Sequence, residues 1–359
     1  MAQAITLARL GWYSARPNPR VGCVLVKDGK VVGEGAHLRA GEPHAEVYAL
    51  QMAGAAAQGA TCYVSLEPCA HFGCTPPCAR ALIDAGLQRV VYAIEDPDPR
   101  VAGAGAAMLE AAGIAVTRGV LAESARQLNR GFLSRVARNR PFVRAKVAMS
   151  IDGRIALADG RSKWITSEAA RHDVQRLRAE SCAIMVGRGT VMTDDPSLTV
   201  RDAQFDIPEQ PLRVVLDTQL ALNPASAMLQ QAGSSLIYTA STDDARMAVL
   251  RQAGATVRQT TTEGAGLAIA PILADLAQQD INDLLVESGP GLTTALLTGG
   301  WLDELIIYVA PRLLGADSRA VAGPLMLNEL SDSPTLEISD IRQIGKDIRI
   351  TAIPRIADN

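Results

Sequence analysis

The chain has 359 residues, of which 48% are apolar and 20% charged, and its formal net charge is −3. This length exceeds one ordinary domain of about 100 to 200 residues, so we expect two domains. The slightly negative charge and the 4% aromatic content argue against a nucleic-acid-binding protein, which needs a basic surface and stacking side chains.

The compartment is inferred from the N-terminus and the cysteines. Residues 1–19 lack the continuous apolar core of a signal peptide, and no stretch approaches the roughly 18 apolar residues of a membrane span. We therefore expect a cytoplasmic protein with no membrane partner. In that compartment the six cysteines are expected to be ligands, catalysts or core residues rather than disulfides.

The first 120 residues alternate between strand and helix signals, which predicts a layered α/β domain. Two β-branched runs within residues 21–35 are joined by Asp28 and Gly29, a pair that favours a tight hairpin turn. A helix is expected to open at Pro43, because proline suits the first helical position. Strand, helix, strand, helix and strand are then predicted at 61–68, 76–86, 89–96, 104–113 and 114–120.

A helix over residues 121–139 leads to Pro141, where a second alternating series begins. Its predicted strands are 142–156, 182–187, 212–217, 235–240, 255–260, 283–289 and 304–314, with helices such as 167–180 between several of them. Residues 336–345 and 346–354 are typical of an antiparallel pair. We place the domain boundary near residue 140.

Three potential metal ligands lie at the ends of neighbouring predicted elements. His44 lies at the opening of one helix, Cys69 follows a strand, and Cys78 lies just inside the next helix. One imidazole and two thiolates are a common protein ligand set for catalytic zinc, which keeps a fourth position for water. A helix N-terminus also favours thiolate over thiol. The sequence therefore predicts a zinc site.

Glu46 is too close in sequence to His44 to be a comfortable fourth ligand. We expect it to take a proton from zinc-activated water and deliver it to a departing amine. The set matches the zinc-deaminase signature H-x-E followed by P-C-x-x-C, except that eight residues rather than two separate the cysteines. A structural zinc closed by Cys74 or His71 is the alternative.

The remaining cysteines are expected to be small apolar core residues: Cys23, Cys62 and Cys182.

A second site is predicted after Pro141, where no GxGxxG follows a strand and the usual dinucleotide fingerprint is therefore missing. The segment VESGPGLTTALL, residues 286–297, runs from a strand through a glycine-rich turn into a helix. Backbone N–H groups and the helix dipole can hold a phosphate there. A strand-to-helix turn also needs glycine for ordinary steric reasons.

Taken together, these motifs resemble the bacterial bifunctional riboflavin-biosynthesis deaminase/reductase family, RibD or RibG. PNPRVGCVLV, AGEPHAE and the long cysteine loop PCAHFGCTPPC resemble its deaminase half. KVAMSIDGRIA, SKWITSEAARHDVQRLRAE, MVGRGTVMTDDPSLTVR and VESGPGLTTALL occur in the order of its reductase half, so the resemblance covers essentially the whole chain. Cys74 departs from the family, which more usually has a basic residue there.

The resemblance implies an α/β fold with two domains. A cytidine-deaminase-like α/β/α layer domain, residues 1–140, would precede a dihydrofolate-reductase-like α/β domain, residues 141–359. The first would carry out zinc-dependent deamination of 2,5-diamino-6-(5-phosphoribosylamino)pyrimidin-4(3H)-one. The second would use NADPH to reduce the ribosyl group of 5-amino-6-(5-phosphoribosylamino)uracil to a ribityl chain. A homodimer or homotetramer through the second domain is expected.

The resemblance also implies individual contacts. Asn18 offers a donor and an acceptor and is placed beside the pyrimidine, although an asparagine there can also cap a loop. The substrate of the reductase would contact Ser162, Arg178, Leu198, Arg201 and Glu287. The cofactor would contact Ala148, Trp164, Thr190, Asp194, Thr218, Gly289, Pro290, Gly291, Leu292, Thr293, Thr294 and Ala295.

The chemistry of these residues fits the implied roles. Arg178 and Arg201 suit a phosphomonoester, and Glu287 can accept hydrogen bonds from ribose hydroxyls; a solvated surface charge is the alternative for Arg178. Lys146 and Asp194 are both candidates for assisting protonation during ring opening.

Two further residues keep two interpretations each. Asp152 is either a turn former or a chemical group. Arg188 either meets a cofactor 2′-phosphate or is an exposed turn residue.

Two other functions remain open. One is a nucleoside or RNA-base zinc deaminase with a non-catalytic C-terminal dimerisation domain, which the acidic balance and few aromatic residues disfavour. The other is a non-catalytic module stabilised by zinc.

Overall fold

The computed structural model describes residues 1–70, 76–98 and 102–355. The chain divides into two compact units, Met1–Arg140 (unit 1) and Pro141–Asn359 (unit 2). Within the described ranges, no helix has both the length and the apolar character needed to cross a membrane.

Unit 1 contains a mixed sheet and several helices. Its strands are β1 (Gly22–Lys27), β2 (Lys30–Ala36), β3 (Thr61–Val64), β4 (Arg89–Tyr92) and β5 (Ala115–Arg118). Its helices are α1 (Ala2–Ala8), α2 (Ala45–Ala53), α3 (Cys78–Asp84), α4 (Ala104–Ala111) and α5 (Ala122–Arg138). The strand order is β2-β1-β3-β4-β5, with β1 antiparallel to β2 and β3, and with β3, β4 and β5 parallel.

The hairpin predicted at Asp28 and Gly29 is confirmed. Both residues have positive φ angles, 51° and 75°. A two-residue hairpin needs this conformation because it matches the right-handed twist of the two strands.

Helices cover both faces of the unit 1 sheet. A Cβ at Gly22 would lie 2.0 Å from the Ala4 carbonyl oxygen of α1, and one at Gly35 would lie 2.1 Å from the Ala45 carbonyl oxygen of α2. Gly35 pairs with Cys23, so the alternation of side chains puts Gly35 and Gly22 on opposite faces. The predicted α/β/α layering is confirmed.

The predicted helix start at Pro43 is wrong. Helix α2 begins at Ala45, and its N-cap is His44, with extended backbone angles of φ −72° and ψ 161°. The His44 carbonyl accepts the first hydrogen bond of the helix from Val47 N–H. The Pro43 carbonyl instead contacts the His37 side chain, so Pro43 lies outside the helix.

Unit 2 contains a larger sheet. Its strands are β6 (Phe142–Ser150), β7 (Arg154–Ala156), β8 (Ala183–Gly187), β9 (Leu212–Leu216), β10 (Ser235–Thr239), β11 (Ala255–Gln259), β12 (Thr262–Glu263), β13 (Gly266–Leu267), β14 (Asp283–Val286), β15 (Glu304–Ala310), β16 (Arg319–Ala320), β17 (Thr335–Ile344) and β18 (Asp347–Arg355). Its helices are α6 (Glu168–Glu180), α7 (Arg188–Asp194), α8 (Asp244–Gln252), α9 (Ile269–Gln278) and α10 (Pro290–Thr298).

The main sheet of unit 2 has the order β11-β10-β9-β8-β14-β6-β15-β18-β17. The first seven strands in this order are parallel to one another. Strand β18 is antiparallel to both β15 and β17, which confirms the predicted C-terminal pair. The carboxyl ends of β9, β8, β14 and β6 therefore lie side by side at one edge. Open parallel sheets bind ligands at this edge.

Candidate active sites

The three predicted metal ligands converge in unit 1. His44 Nδ1 lies 3.2 Å from Cys78 Sγ and 3.7 Å from Cys69 Sγ, and the three ligand atoms lie within 4.8 Å of one another. Tetrahedral zinc bound by nitrogen and sulfur at ordinary bond lengths separates those atoms by about 3.5 Å. The donor set therefore fits zinc in both chemistry and spacing.

The two sulfur atoms are in different protonation environments. The hydrogen bond from Cys78 lowers the pKa of Cys69 to about 4, whereas the same hydrogen bond raises the pKa of Cys78. Cys69 Sγ also accepts from the Cys78 backbone N–H at 3.3 Å, at the start of α3. Both sulfur atoms can be thiolates at once only beside a cation, because their negative charges repel each other.

Glu46 lies in the first turn of α2 and is only 3% exposed. Burial raises its pKa to about 7, and its carboxylate is within hydrogen-bond reach of Cys78. A buried carboxylate beside the three predicted metal ligands is in position to exchange a proton with a molecule bound there.

Asn18 contacts His37, a histidine that the sequence motifs do not single out. Its Nδ2 lies 3.1 Å from His37 Nε2, and His37 Nδ1 lies 3.1 Å from the Pro43 carbonyl oxygen. The His37 ring also meets the His44 ring edge to face, with centroids 5.4 Å apart. The sequence did offer a clue to the role of His37. The chain has only four histidines, and His37 lies seven residues before the predicted ligand His44.

The other cysteines follow their predictions where the structure describes them. Cys23 and Cys62 are fully buried in the unit 1 core, and Cys182 is half-buried against the unit 2 core. Cys74 and His71, the alternative fourth ligands, lie outside the described residues.

Unit 2 contains a cavity of about 1170 Å³ at the carboxyl edge of its sheet. Most predicted substrate and cofactor residues line it: Ala148, Ser162, Trp164, Arg178, Thr190, Asp194, Leu198, Arg201, Glu287, Gly289, Pro290, Gly291 and Leu292. Its lining does not include Thr218, Thr293, Thr294 and Ala295. Thr293 is buried within α10, and Thr294 Oγ1 accepts from the Gly323 backbone.

The glycine-rich turn has the predicted form. Strand β14 is followed by Gly289 as the N-cap and Pro290 as the first residue of α10. The residues at the start of this helix, Gly289, Pro290, Gly291 and Leu292, line the cavity.

A buried ion-pair cluster lies on the cavity wall. Arg178 Nε and Nη2 donate to the two Glu287 oxygens at 2.6 and 3.1 Å, and Arg178 Nη1 donates to the Thr199 carbonyl. Lys146 Nζ lies 3.2 Å from Glu287 Oε2. Burial alone would raise the pKa of Glu287, but Arg178 and Lys146 outweigh it and lower this pKa to about 2. Arg178 is thus ion-paired rather than a solvated surface charge.

A second group surrounds Asp194 at the end of α7. Ser162 Oγ lies 3.4 Å from Asp194 Oδ1, and Lys163 Nζ donates to the Asp194 carbonyl. The Trp164 ring is 61% exposed, and the Arg171 guanidinium stacks 4.6 Å from its centroid. An exposed indole with one face covered presents an apolar surface to the cavity.

Asp152 and Arg188 have well-defined contacts. Asp152 accepts from the backbone N–H groups of Leu314 and Gly315, which supports the interpretation as a turn former. Arg188 lies beside Asp217 and Gln219, with its Nε 3.9 Å from Asp217 Oδ1.

Comparison with known proteins agrees with this geometry. Residues 1–94 match the family model described as the cytidine and deoxycytidylate deaminase zinc-binding region, and residues 141–350 match the RibD C-terminal domain. The chain belongs to the RibD family. The expected resemblance is confirmed, and the match over unit 2 leaves no place for an unrelated C-terminal dimerisation domain.

Curated relatives and solved structures of RibD proteins match over nearly the full length. Riboflavin biosynthesis protein RibD of Escherichia coli (strain K12) is 47% identical, with 97% of this chain and 96% of the relative covered. Acinetobacter baumannii RibD has a TM-score of 0.91 at 43% identity, covering 99% and 97% of the two chains. A Thermotoga maritima protein, described as a diaminohydroxyphosphoribosylaminopyrimidine deaminase/5-amino-6-(5-phosphoribosylamino)uracil reductase, has a TM-score of 0.85 at 32% identity, with the same coverage.

As a RibD protein, the chain is a bifunctional riboflavin-biosynthesis enzyme with a zinc-type deaminase domain and a reductase domain of dihydrofolate-reductase-like fold. The reductase domain indicates a nicotinamide cofactor, and the substrate is a small pyrimidine.

Proposed function

We propose that residues 1–140 deaminate 2,5-diamino-6-(5-phosphoribosylamino)pyrimidin-4(3H)-one, with zinc held by His44, Cys69 and Cys78. The observation that carries this proposal is the convergence of one imidazole nitrogen and two sulfur atoms beside the buried Glu46. Three protein ligands leave a fourth position for water, as catalytic zinc sites do.

The bound zinc would supply a hydroxide nucleophile at neutral pH. Glu46 takes the proton released at that position and delivers it to the departing amine. Asn18 hydrogen-bonds the pyrimidine edge, and His37 fixes the Asn18 amide. Since His37 also binds the Pro43 carbonyl, it ties the substrate loop to the residue before His44.

Residues 141–359 then reduce the ribosyl group of 5-amino-6-(5-phosphoribosylamino)uracil, the product of the first reaction. A nicotinamide bound in the cavity would supply a hydride to the sugar carbon. Glu287 accepts hydrogen bonds from ribose hydroxyls while Arg178 and Lys146 hold it ionised. Arg201 and Ser162, with Arg178, bind the 5-phosphate, and Leu198 packs against the substrate.

The cofactor is NADPH. Residues 289–292 bind its pyrophosphate through backbone N–H groups at the start of α10, whereas Thr293, Thr294 and Ala295 of the same predicted segment lie outside the cavity lining. Ala148, Trp164, Thr190 and Asp194 line its nicotinamide side, and Thr218 contacts its adenosine side. Because the ends of β14, β8 and β9 are consecutive along the edge, Arg188 after β8 and Gln219 after β9 are in reach of a ribose 2′-phosphate.

The protein forms a homodimer or homotetramer through unit 2. Strands β17 and β18 present Ile338, Ile341 and Ile348 on one sheet face, with exposed fractions of 56%, 61% and 45%. The opposite face of this hairpin packs on α6, where Arg349 pairs with Asp173. A second copy would remove the exposed isoleucines from water.

The enzyme works in the cytoplasm, which agrees with its free cysteines: Cys23, Cys62, Cys69, Cys78 and Cys182.

The proposal is tested by supplying the full-length protein with the diaminopyrimidine phosphate and NADPH, and measuring ammonia and NADPH together. The expected result is one NADPH oxidised for each ammonia released, with ammonia appearing first. NADPH oxidation without ammonia, or ammonia from cytidine but not from this substrate, would contradict it.

A further inference from the structure

Glu67 is a buried carboxylate to which the proposed deamination assigns no chemical step. Its side chain is 3% exposed and lies two residues before Cys69. Three backbone N–H groups donate to its two oxygens: those of Asp96 and Gly103 to Oε2, at 3.3 and 3.0 Å, and that of Ala106 to Oε1, at 3.1 Å.

Two of these donors belong to the start of α4, whose N-cap is Gly103. The first N–H groups of a helix have no partner within the helix, and the helix dipole favours negative charge there. A carboxylate accepting them forms charge-assisted hydrogen bonds, which are about twice as strong as neutral ones. Glu67 is therefore a strong link between the segment after β3 and α4.

The backbone after Glu67 is in direct contact with the same helix. A Cβ added at Gly105 would lie 1.9 Å from the Pro68 carbonyl oxygen, so α4 packs against this peptide without an intervening side chain. On its other side, the Cys69 carbonyl accepts from the Ala79 N–H of α3 at 3.1 Å. Cys69 is thus held between two helices.

We propose that Glu67 is a positioning residue for Cys69, and that its bonds to the backbones of Asp96, Gly103 and Ala106 fix the Cys69 sulfur at the separation from His44 and Cys78 that metal binding needs. This inference rests on the proposed role of Cys69 as a zinc ligand. Groups that orient metal ligands typically change metal affinity by about 10- to 100-fold when they are removed. A carboxylate that only stabilised α4 would change stability and leave zinc retention as it is.

The test compares Glu67→Gln with a matched control, Leu109→Ala, in the full-length protein. Glu67→Gln keeps the size of the side chain but removes its charge. It also places the glutamine NH₂ group, a donor, against backbone N–H groups that now donate to the Glu67 carboxylate. Leu109 is fully buried in the same helix, so Leu109→Ala weakens the packing of α4 without touching the Glu67–Cys69 segment. Two quantities are measured: the rate of zinc transfer to a chromogenic chelator, and the visible spectrum of the cobalt-substituted protein.

We expect Glu67→Gln to release zinc at least about 10-fold faster than the wild type and to shift the cobalt bands, while Leu109→Ala does neither. Reductase activity on its own substrate should be unchanged in both variants and shows that unit 2 is intact. If Glu67→Gln is insoluble, Glu67→Asp is tested in the same assay, and the same faster zinc release is expected. Its shorter side chain keeps the charge but cannot reach all three backbone N–H groups.

The inference is overturned if the Glu67 variant retains zinc like the wild type, or if Leu109→Ala accelerates release equally. A wild-type protein that holds no zinc would instead overturn the proposed deaminase site, so the two failures are distinguishable.

Discussion

Arg178 and Glu287, which are 109 residues apart in the chain, form a two-point ion pair in the wall of the unit 2 cavity, with nitrogen–oxygen distances of 2.6 and 3.1 Å. Both side chains are about nine-tenths buried. Burial makes such a pair costly to break, because without Arg178 only Lys146 is left to balance the buried Glu287 charge.

Replacing Arg178 by Met should destabilise unit 2 by about 3 to 5 kcal/mol and abolish reduction. The double variant Arg178→Met/Glu287→Gln is the matched control, since it removes both charges. It should recover part of the lost stability, since Lys146 then lacks its Glu287 partner, but not reductase activity. Urea unfolding followed by tryptophan fluorescence measures the first quantity, and NADPH oxidation measures the second. Equal instability of the single and double variants would argue against a charge effect.

Glu287 also predicts how stability depends on pH. Its pKa falls from an ordinary 4.5 to about 2 in the folded protein, so the folded state favours the ionised form. This contribution is fully present above about pH 4.5 and is lost as the pH falls towards 2. The stability difference between wild type and Glu287→Gln should therefore shrink between pH 5 and about pH 2. If this stability difference grew on acidification, the pKa of Glu287 would be raised rather than lowered in the folded protein.

Glu46→Ala should lower the deamination rate by about 10²- to 10⁴-fold, the usual contribution of a positioned acid–base group. Zinc content and reductase activity should stay at wild-type levels, because Glu46 is not among the ligands. Ammonia release and metal analysis provide the two readouts. Unchanged deamination would remove Glu46 from the mechanism, and loss of zinc would make it a ligand.

Arg188→Ala should raise the KM for NADPH by at least about 10-fold, because one charge-assisted contact to a phosphate is worth roughly 1.5 to 3 kcal/mol. The KM for NADH, which lacks the 2′-phosphate, should change little, and this comparison is the control. Equal effects on both cofactors would assign Arg188 a structural role through Asp217.

Ile341→Asp should shift the oligomer towards monomers, because it places a charge in the exposed apolar face of β17 and β18. Ile353→Asp is the matched control. Ile341 pairs with Ile350, whereas Ile353 pairs with Glu337, so Ile353 lies on the opposite face. Sedimentation velocity measures both. Dissociation by both variants, or by neither, would place the interface elsewhere.

Local chemistry made much of the fold predictable. The Asp28–Gly29 hairpin and the strand-to-helix turn into α10 each depend on neighbouring residues, whereas α3, predicted over 76–86, begins only at Cys78 with Pro77 as its extended N-cap. The helix start at Pro43 failed because the Pro43 carbonyl contacts His37, and side-chain contacts of this kind are not visible in a propensity pattern.

The sites were less predictable than the elements. The sequence could nominate His44, Cys69 and Cys78 because zinc accepts few residue types at strand and helix ends. It could not reveal that Arg178 is ion-paired with Glu287, since an arginine on a charged helix has the same pattern whether it is solvated or buried. Nor could it show that Glu67 bonds backbone groups 29 to 39 residues away.

X-ray absorption at the zinc edge tests the central claim most directly. We expect one zinc per chain, with two sulfur neighbours at about 2.3 Å and two nitrogen or oxygen neighbours at about 2.0 to 2.1 Å, one of which exchanges with solvent. A third sulfur, supplied by Cys74, would close the position next to Glu46 and contradict a catalytic zinc.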